Sequence, residues 1–124
     1  AVRLEDWLAA CLDDASPGVV LAACESLGAL AESTGTPCGA TAIAKLAELL
    51  QSKLPGVRAA SLGGLAKMGE ESVTYLEEFV KRLGDQVGIV RAQAAVAVGS
   101  CGEFGQMYAS QVCRLMFDEE PRVR

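Results

Sequence analysis

Pro55-Gly56-Val57-Arg58-Ala59-Ala60 is one of four versions of the same stretch in this 124-residue chain. Pro17-Gly18-Val19-Val20-Leu21-Ala22-Ala23 precedes it by 38 residues, Gly88-Ile89-Val90-Arg91-Ala92-Gln93 follows it by 33, and Pro121-Arg122-Val123-Arg124 follows that by another 33. Recurrence at a few dozen residues points to stacked supersecondary units, because each unit leaves an apolar face that only a neighbour can cover.

An amphipathic helical pattern precedes each boundary: Leu4 to Asp13, Ala40 to Gln51, Ser72 to Leu83 and Gln106 to Phe117. In these outer helices Leu46, Leu49 and Leu50, or Leu76, Phe79, Val80 and Leu83, recur at helical spacing, while Lys45, Glu48, Glu77, Glu78 and Lys81 take the other face. An inner helix follows each boundary: Pro17 to Glu32, Pro55 to Met68 and Gly88 to Cys101. Proline suits the first turn, where its missing N–H has no partner to lose. Val19, Val57 and Val90 each stand eight residues before Leu27, Leu65 and Val98, which predicts one shared stripe packed on the preceding outer helix. The five extra residues of the first unit fall in Ser33-Thr34-Gly35-Thr36-Pro37-Cys38-Gly39, read as an inter-repeat loop. The expected architecture is an all-α, right-handed α-solenoid of about three and a half helical hairpins. It forms one domain over 1–124, with units near 1–34, 39–69, 71–102 and an incomplete 104–124.

The order Asp, Pro, Val-Arg, Ala-rich helix and Leu-Gly, as in Asp85 through Arg91 or Asp13 to Gly28, resembles the HEAT repeat. The 33-residue step is similar to the HEAT-like repeats of phycobilin lyases. The resemblance covers nearly the whole chain and implies a protein-binding scaffold, or a subunit of a larger complex, with a photosynthetic or other organellar one among the expectations. It also leaves a chromophore-lyase-like, ligand-handling role as an alternative.

Half the residues are hydrophobic (51%) but only 5% are aromatic, so Ala, Val, Leu and Gly must fill the core, which favours closely approaching helices. A net charge of −5 is the wrong sign for gripping a phosphate backbone, and no nucleic-acid partner is expected. No His is present, which removes the commonest general acid/base and every Cys-His or Ser-His pair. No enzyme, metal or cofactor is expected. Cys11, Cys24, Cys38, Cys101 and Cys113 form no CxxC pair and are odd in number, so free thiols in a reducing intracellular compartment are the natural reading. Cytoplasm and organelle are not distinguished. Four of these cysteines fall in helical patterns; Cys38 lies in the loop and is expected to be the exposed thiol, the one able to take a covalent adduct if its pKa were lowered. No segment has the length and hydropathy of a membrane span.

Two sets of side chains stand out. An Asp followed six residues later by Arg recurs as Asp85 with Arg91 and Asp118 with Arg124. Ser52 replaces the acid before Arg58, and Val20 replaces the arginine after Asp14. This reads as a structural ladder, in which an arginine one turn into a helix reaches the acid of an adjacent unit. The inner helices are poor in charge, and with their core stripes turned inward they place Leu21, Glu25 and Ala29, then Ala59, Gly63 and Lys67, then Ala92, Val96 and Ser100 on the opposite, concave surface. That surface is expected to bind a helix or extended segment of another protein. Gly63-Gly64 inside a helix costs roughly 1 kcal/mol per glycine relative to alanine. A close approach, by a neighbouring helix or by a partner, is expected there.

Overall fold

The computed structural model describes residues 3–118 and Val123. Helices α1 (Leu4–Cys11) and α2 (Pro17–Thr34) form the first hairpin, and α3 (Ala40–Leu49) and α4 (Pro55–Ala66) the second. A 3-10 segment (Gly69–Tyr75) leads into α5 (Leu76–Arg82), which pairs with α6 (Gly88–Ser100). Then come α7 (Glu103–Gln106), α8 (Ala109–Arg114) and a closing 3-10 turn (Leu115–Phe117). No strand occurs among the described residues. Pro17 and Pro55 open their helices at the first turn, and Gly35 ends α2 in the left-handed region at φ 71°.

The inner helices α2, α4 and α6 pack side by side, and each outer helix packs on the inner helix of its own hairpin. One apolar cluster runs through the stack, with Leu27, Leu46, Leu50, Leu62, Leu65, Phe79, Val90 and Val98 buried. Each such side chain contributes about 1.5–3 kcal/mol on burial. A Cβ on Gly64 would lie 3.1 Å from the Cys24 carbonyl oxygen, and one on Gly28 would lie 3.3 Å from Gly64 Cα. Helices α2 and α4 therefore touch backbone to backbone. Gly63 differs: a Cβ there meets only Gln93 Oε1, at an ordinary 3.5 Å.

The structure corrects three sequence expectations. Ser72 to Leu83 is not one helix: its first four residues belong to the 3-10 segment, where Ser72 Oγ donates to the Gly69 carbonyl at 2.7 Å and the Val73-Thr74-Tyr75 run has poor helix propensity. Gln106 to Phe117 is likewise broken. Gly105 runs against α6 so closely that a Cβ would fall 2.2 Å from the Val98 carbonyl oxygen, and the chain turns again at Met107 and Tyr108. Val19 does not share the burial of Val57 and Val90; it is 38% exposed, and Val20 beside it is buried.

Arginine forks tie the hairpins together. Arg58 donates from Nε to Asp85 Oδ2 and from Nη2 to Asp85 Oδ1, both at 3.0 Å, while its Nη1 donates to the Ser52 carbonyl at 2.7 Å. Arg91 repeats the arrangement with Asp118 at 2.7 and 2.8 Å and with the Asp85 carbonyl at 2.9 Å. The acids do a second job. Asp85 Oδ1 accepts the Val87 N–H, Asp14 Oδ1 accepts the Ser16 N–H and Ser52 Oγ accepts the Leu54 N–H, in each case at the residue that caps the following inner helix. Val20 and Ser52 are thus the two halves of one absent rung, between the first and second hairpins. That joint is held instead by Lys45 on Asp13 and by Lys67 on Glu32, the latter at 3.1 Å. Arg124 and Pro121 lie outside the described residues.

Burial alone would raise the Asp85 carboxyl. The hydrogen bond from Arg58, the Val87 N–H and the charges of Arg58 and Arg82 outweigh burial and hold it below the usual carboxylate value. Its stabilising effect is therefore complete above the unfolded-state value of about 3.9 and fades as pH falls through the lower folded-state value. Asp85→Asn should cost about 2 kcal/mol near neutrality. In urea titrations its deficit against wild type should shrink steadily as the pH is taken from about 6 to about 2; a pH-independent deficit would contradict this electrostatic origin. The adjacent glycines should separate as well. Gly64→Val should lower stability by about 1–3 kcal/mol by forcing α2 and α4 apart, whereas Gly63→Ala should leave it unchanged or raise it by up to about 1 kcal/mol.

Candidate functional site

A shallow hollow of about 470 Å³ lies over α4, walled by α2 on one side and α6 on the other. The sequence pattern places alternate turns of α2 and α4 here, and the backbone contact at Gly28 and Gly64 sets how deep the hollow is. Of the residues expected on the inner face, Leu21, Glu25, Ala59, Gly63 and Lys67 line it. Ala29, Ala92, Val96 and Ser100 do not. The far wall is built from Ile89 and Gln93, one turn apart on the side of α6 that faces α4. Ala92, half-buried, and Val96 and Ser100, both exposed, lie on a side of α6 with no further inner helix beyond it among the described residues.

Gly56, Ala60, Ile89 and Gln93 were missed by the sequence reading. A signal for them existed: Gly56 and Ile89 are the same position of the repeat, as are Ala60 and Gln93. The lining is mostly small and apolar. Glu25 and Lys67 sit on its rim, both exposed, and Lys67 is drawn toward Glu32. Such a surface offers close approach and few hydrogen-bonding groups, a setting for shape and apolar contact rather than bond-making chemistry.

The described residues assigned to the ladder sit away from the hollow, at the ends of the inner helices where neighbouring hairpins meet. Arg58 with Asp85 and Arg91 with Asp118 are brought together across hairpins; Asp14 is exposed and caps only its own α2.

A family model described as HEAT repeats matches residues 4–99. The chain belongs to the HEAT-repeat family. HEAT repeats generally mediate protein–protein interaction or scaffolding and are typically non-catalytic. None of the curated proteins compared with the chain matches it. No helix among the described residues of this HEAT stack is long and apolar enough to cross a membrane.

The cysteines fall differently from expectation. Cys38 is buried despite its loop position: its Sγ donates to the Leu27 carbonyl at 3.4 Å and its N–H points to Met68 Sδ at 3.5 Å. The loop folds back over the end of α2 and takes the thiol with it. Burial, with Glu5 nearby, pushes the Cys38 thiol up, away from the reactive thiolate. Burial and then Glu25 push Cys24 up to about 11, and burial raises Cys101 against hydrogen bonds from Ser72 and Ser100. The exposed thiol is Cys113, on α8. A maleimide at neutral pH should modify Cys113 rapidly and Cys11 slowly, with Cys24, Cys38 and Cys101 labelled only in denaturant. Peptide mass mapping over a time course checks the order, and early labelling of Cys38 would contradict the folded loop.

Proposed function

We propose that this HEAT-repeat chain is a non-catalytic scaffold that holds a helical or extended segment of another protein in the hollow over α4. The observation that carries the reading is the hollow itself: a groove floored by Gly56, Ala59, Ala60 and Gly63, where a backbone can approach closely, between apolar walls at Leu21 and Ile89. The net charge of −5 supports a protein rather than a nucleic acid as the occupant. Exposed Phe104, Met107 and Phe117 support residence in a larger assembly that covers them. Five free cysteines support a reducing intracellular compartment.

Two substitutions on neighbouring surfaces test the location. Gly63→Glu fills the floor of the hollow, while Val96→Glu places the same charge on exposed surface outside it. In affinity capture from the native source, the protein retained by wild type should be retained equally by Val96→Glu and reduced roughly tenfold or more by Gly63→Glu, with helical content by circular dichroism unchanged in both. Equal retention by all three would move the contact away from the hollow.

A further inference from the structure

The first hairpin leaves uncovered several positions that in the later hairpins are covered or reach back to the hairpin before them. Trp7 stands 38 residues before Lys45, which stands 33 before Glu78. Lys45 pairs with Asp13, and Glu78 accepts from Gln51 Nε2 at 2.9 Å, so this position reaches back one hairpin in both cases. In the first hairpin it holds a tryptophan that is 66% exposed. Leu4 is 63% exposed, while Ala42 at the same position is 3% exposed. Val19 is open where Val57 and Val90 are covered. Asp14 holds its cap in the geometry of Asp85, at 2.8 Å to the Ser16 N–H against 3.0 Å to the Val87 N–H, yet it is exposed where Asp85 is gripped by an arginine.

We propose that this face of α1 and α2 is a docking site for a further helical-repeat hairpin, one that brings an apolar flank onto Leu4, Trp7 and Val19 and an arginine, one turn into its second helix, onto Asp14. The occupant follows from continuity with the existing interfaces and from charge. At the matching positions of the later units Ala42, Val57 and Val90 are covered and Lys45 and Glu78 reach back to the preceding hairpin, and the acid at the fourth position takes a bidentate arginine fork wherever that arginine is present. Within a second copy of this chain Arg58 and Arg91 are already engaged with Asp85 and Asp118, so neither is available to Asp14. The inference is independent of the hollow over α4, which lies on another surface.

The test joins a copy of residues 71–104 directly ahead of Ala1 in the full chain. The copied arginine, Arg91 in the parent, then lies 27 residues before Asp14, the separation of Arg58 from Asp85. Trp7 is the chain's only tryptophan and reports on the face directly. Docking predicts a blue-shifted Trp7 emission and at least a twofold loss of iodide quenching relative to the parent chain. A double-mutant cycle between Asp14→Asn and Arg→Met at the copied arginine should show coupling of roughly fivefold or more in the unfolding equilibrium, while Asp14→Asn in the parent chain is nearly silent, since asparagine keeps the cap. An unshifted Trp7 with no coupling would overturn the proposal. So would a concentration-dependent Trp7 shift accompanied by dimerisation of the parent chain, which would make the occupant a second copy.

Discussion

The separation of α2 from α4 is set by two glycines in backbone contact, and most of the molecule's geometry depends on it. With Gly64 Cα near Gly28 and the Cys24 carbonyl within contact of the missing Gly64 Cβ, these helices meet at backbone distance at the crossing. Close approach lets short side chains such as Ala23, Ala59, Ala94 and Ala97 fill the interior of a chain with few aromatics. It also makes the hollow shallow, because its floor is glycine and alanine rather than larger residues.

Apolar contact alone is permissive about register, and the arginine forks supply the constraint. Arg58 is 13% exposed and Asp85 4%, so the pair is largely withdrawn from water, where a planar fork on a carboxylate tolerates little misplacement. Such a pair does little for net stability against a well-packed apolar substitute, but breaking one half is expensive, which favours a single stacking arrangement. The stack is not uniform. Its first joint has valine and serine where the others have arginine and aspartate, and relies on lysine pairs that are more open to solvent. Screening weakens such exposed pairs, so the joint between the first and second hairpins depends more on apolar packing than the ones that follow.

The surfaces divide the same way. The hollow over α4 is small-residue and nearly neutral, with charges at its rim, while the side of the first hairpin facing away from α3 and α4 is bulky, apolar and carries one acid. The former suits a segment laid in by shape; the latter suits a hairpin laid on by stacking. Membership of the HEAT family fixes neither occupant, and these assignments rest on the side chains present.

Periodicity made the fold legible from the amino-acid order, because Pro, Val, Arg and Leu return at steps that only a repeated helical hairpin accommodates. The same steps exposed the Asp and Arg series and half of the hollow's lining. Tertiary structure alone decided the rest. Which acid each arginine grips is a contact between hairpins, 27 residues apart, and the six-residue spacing within a hairpin reflects instead a bond to the backbone carbonyl. The burial of Cys38 depends on a loop folding over α2, and the break around α7 depends on the approach of Gly105 to α6, which local propensity does not encode. Ile89 and Gln93 reached the hollow because a groove needs two walls, and only the side-by-side packing of three helices determines which face of each becomes one.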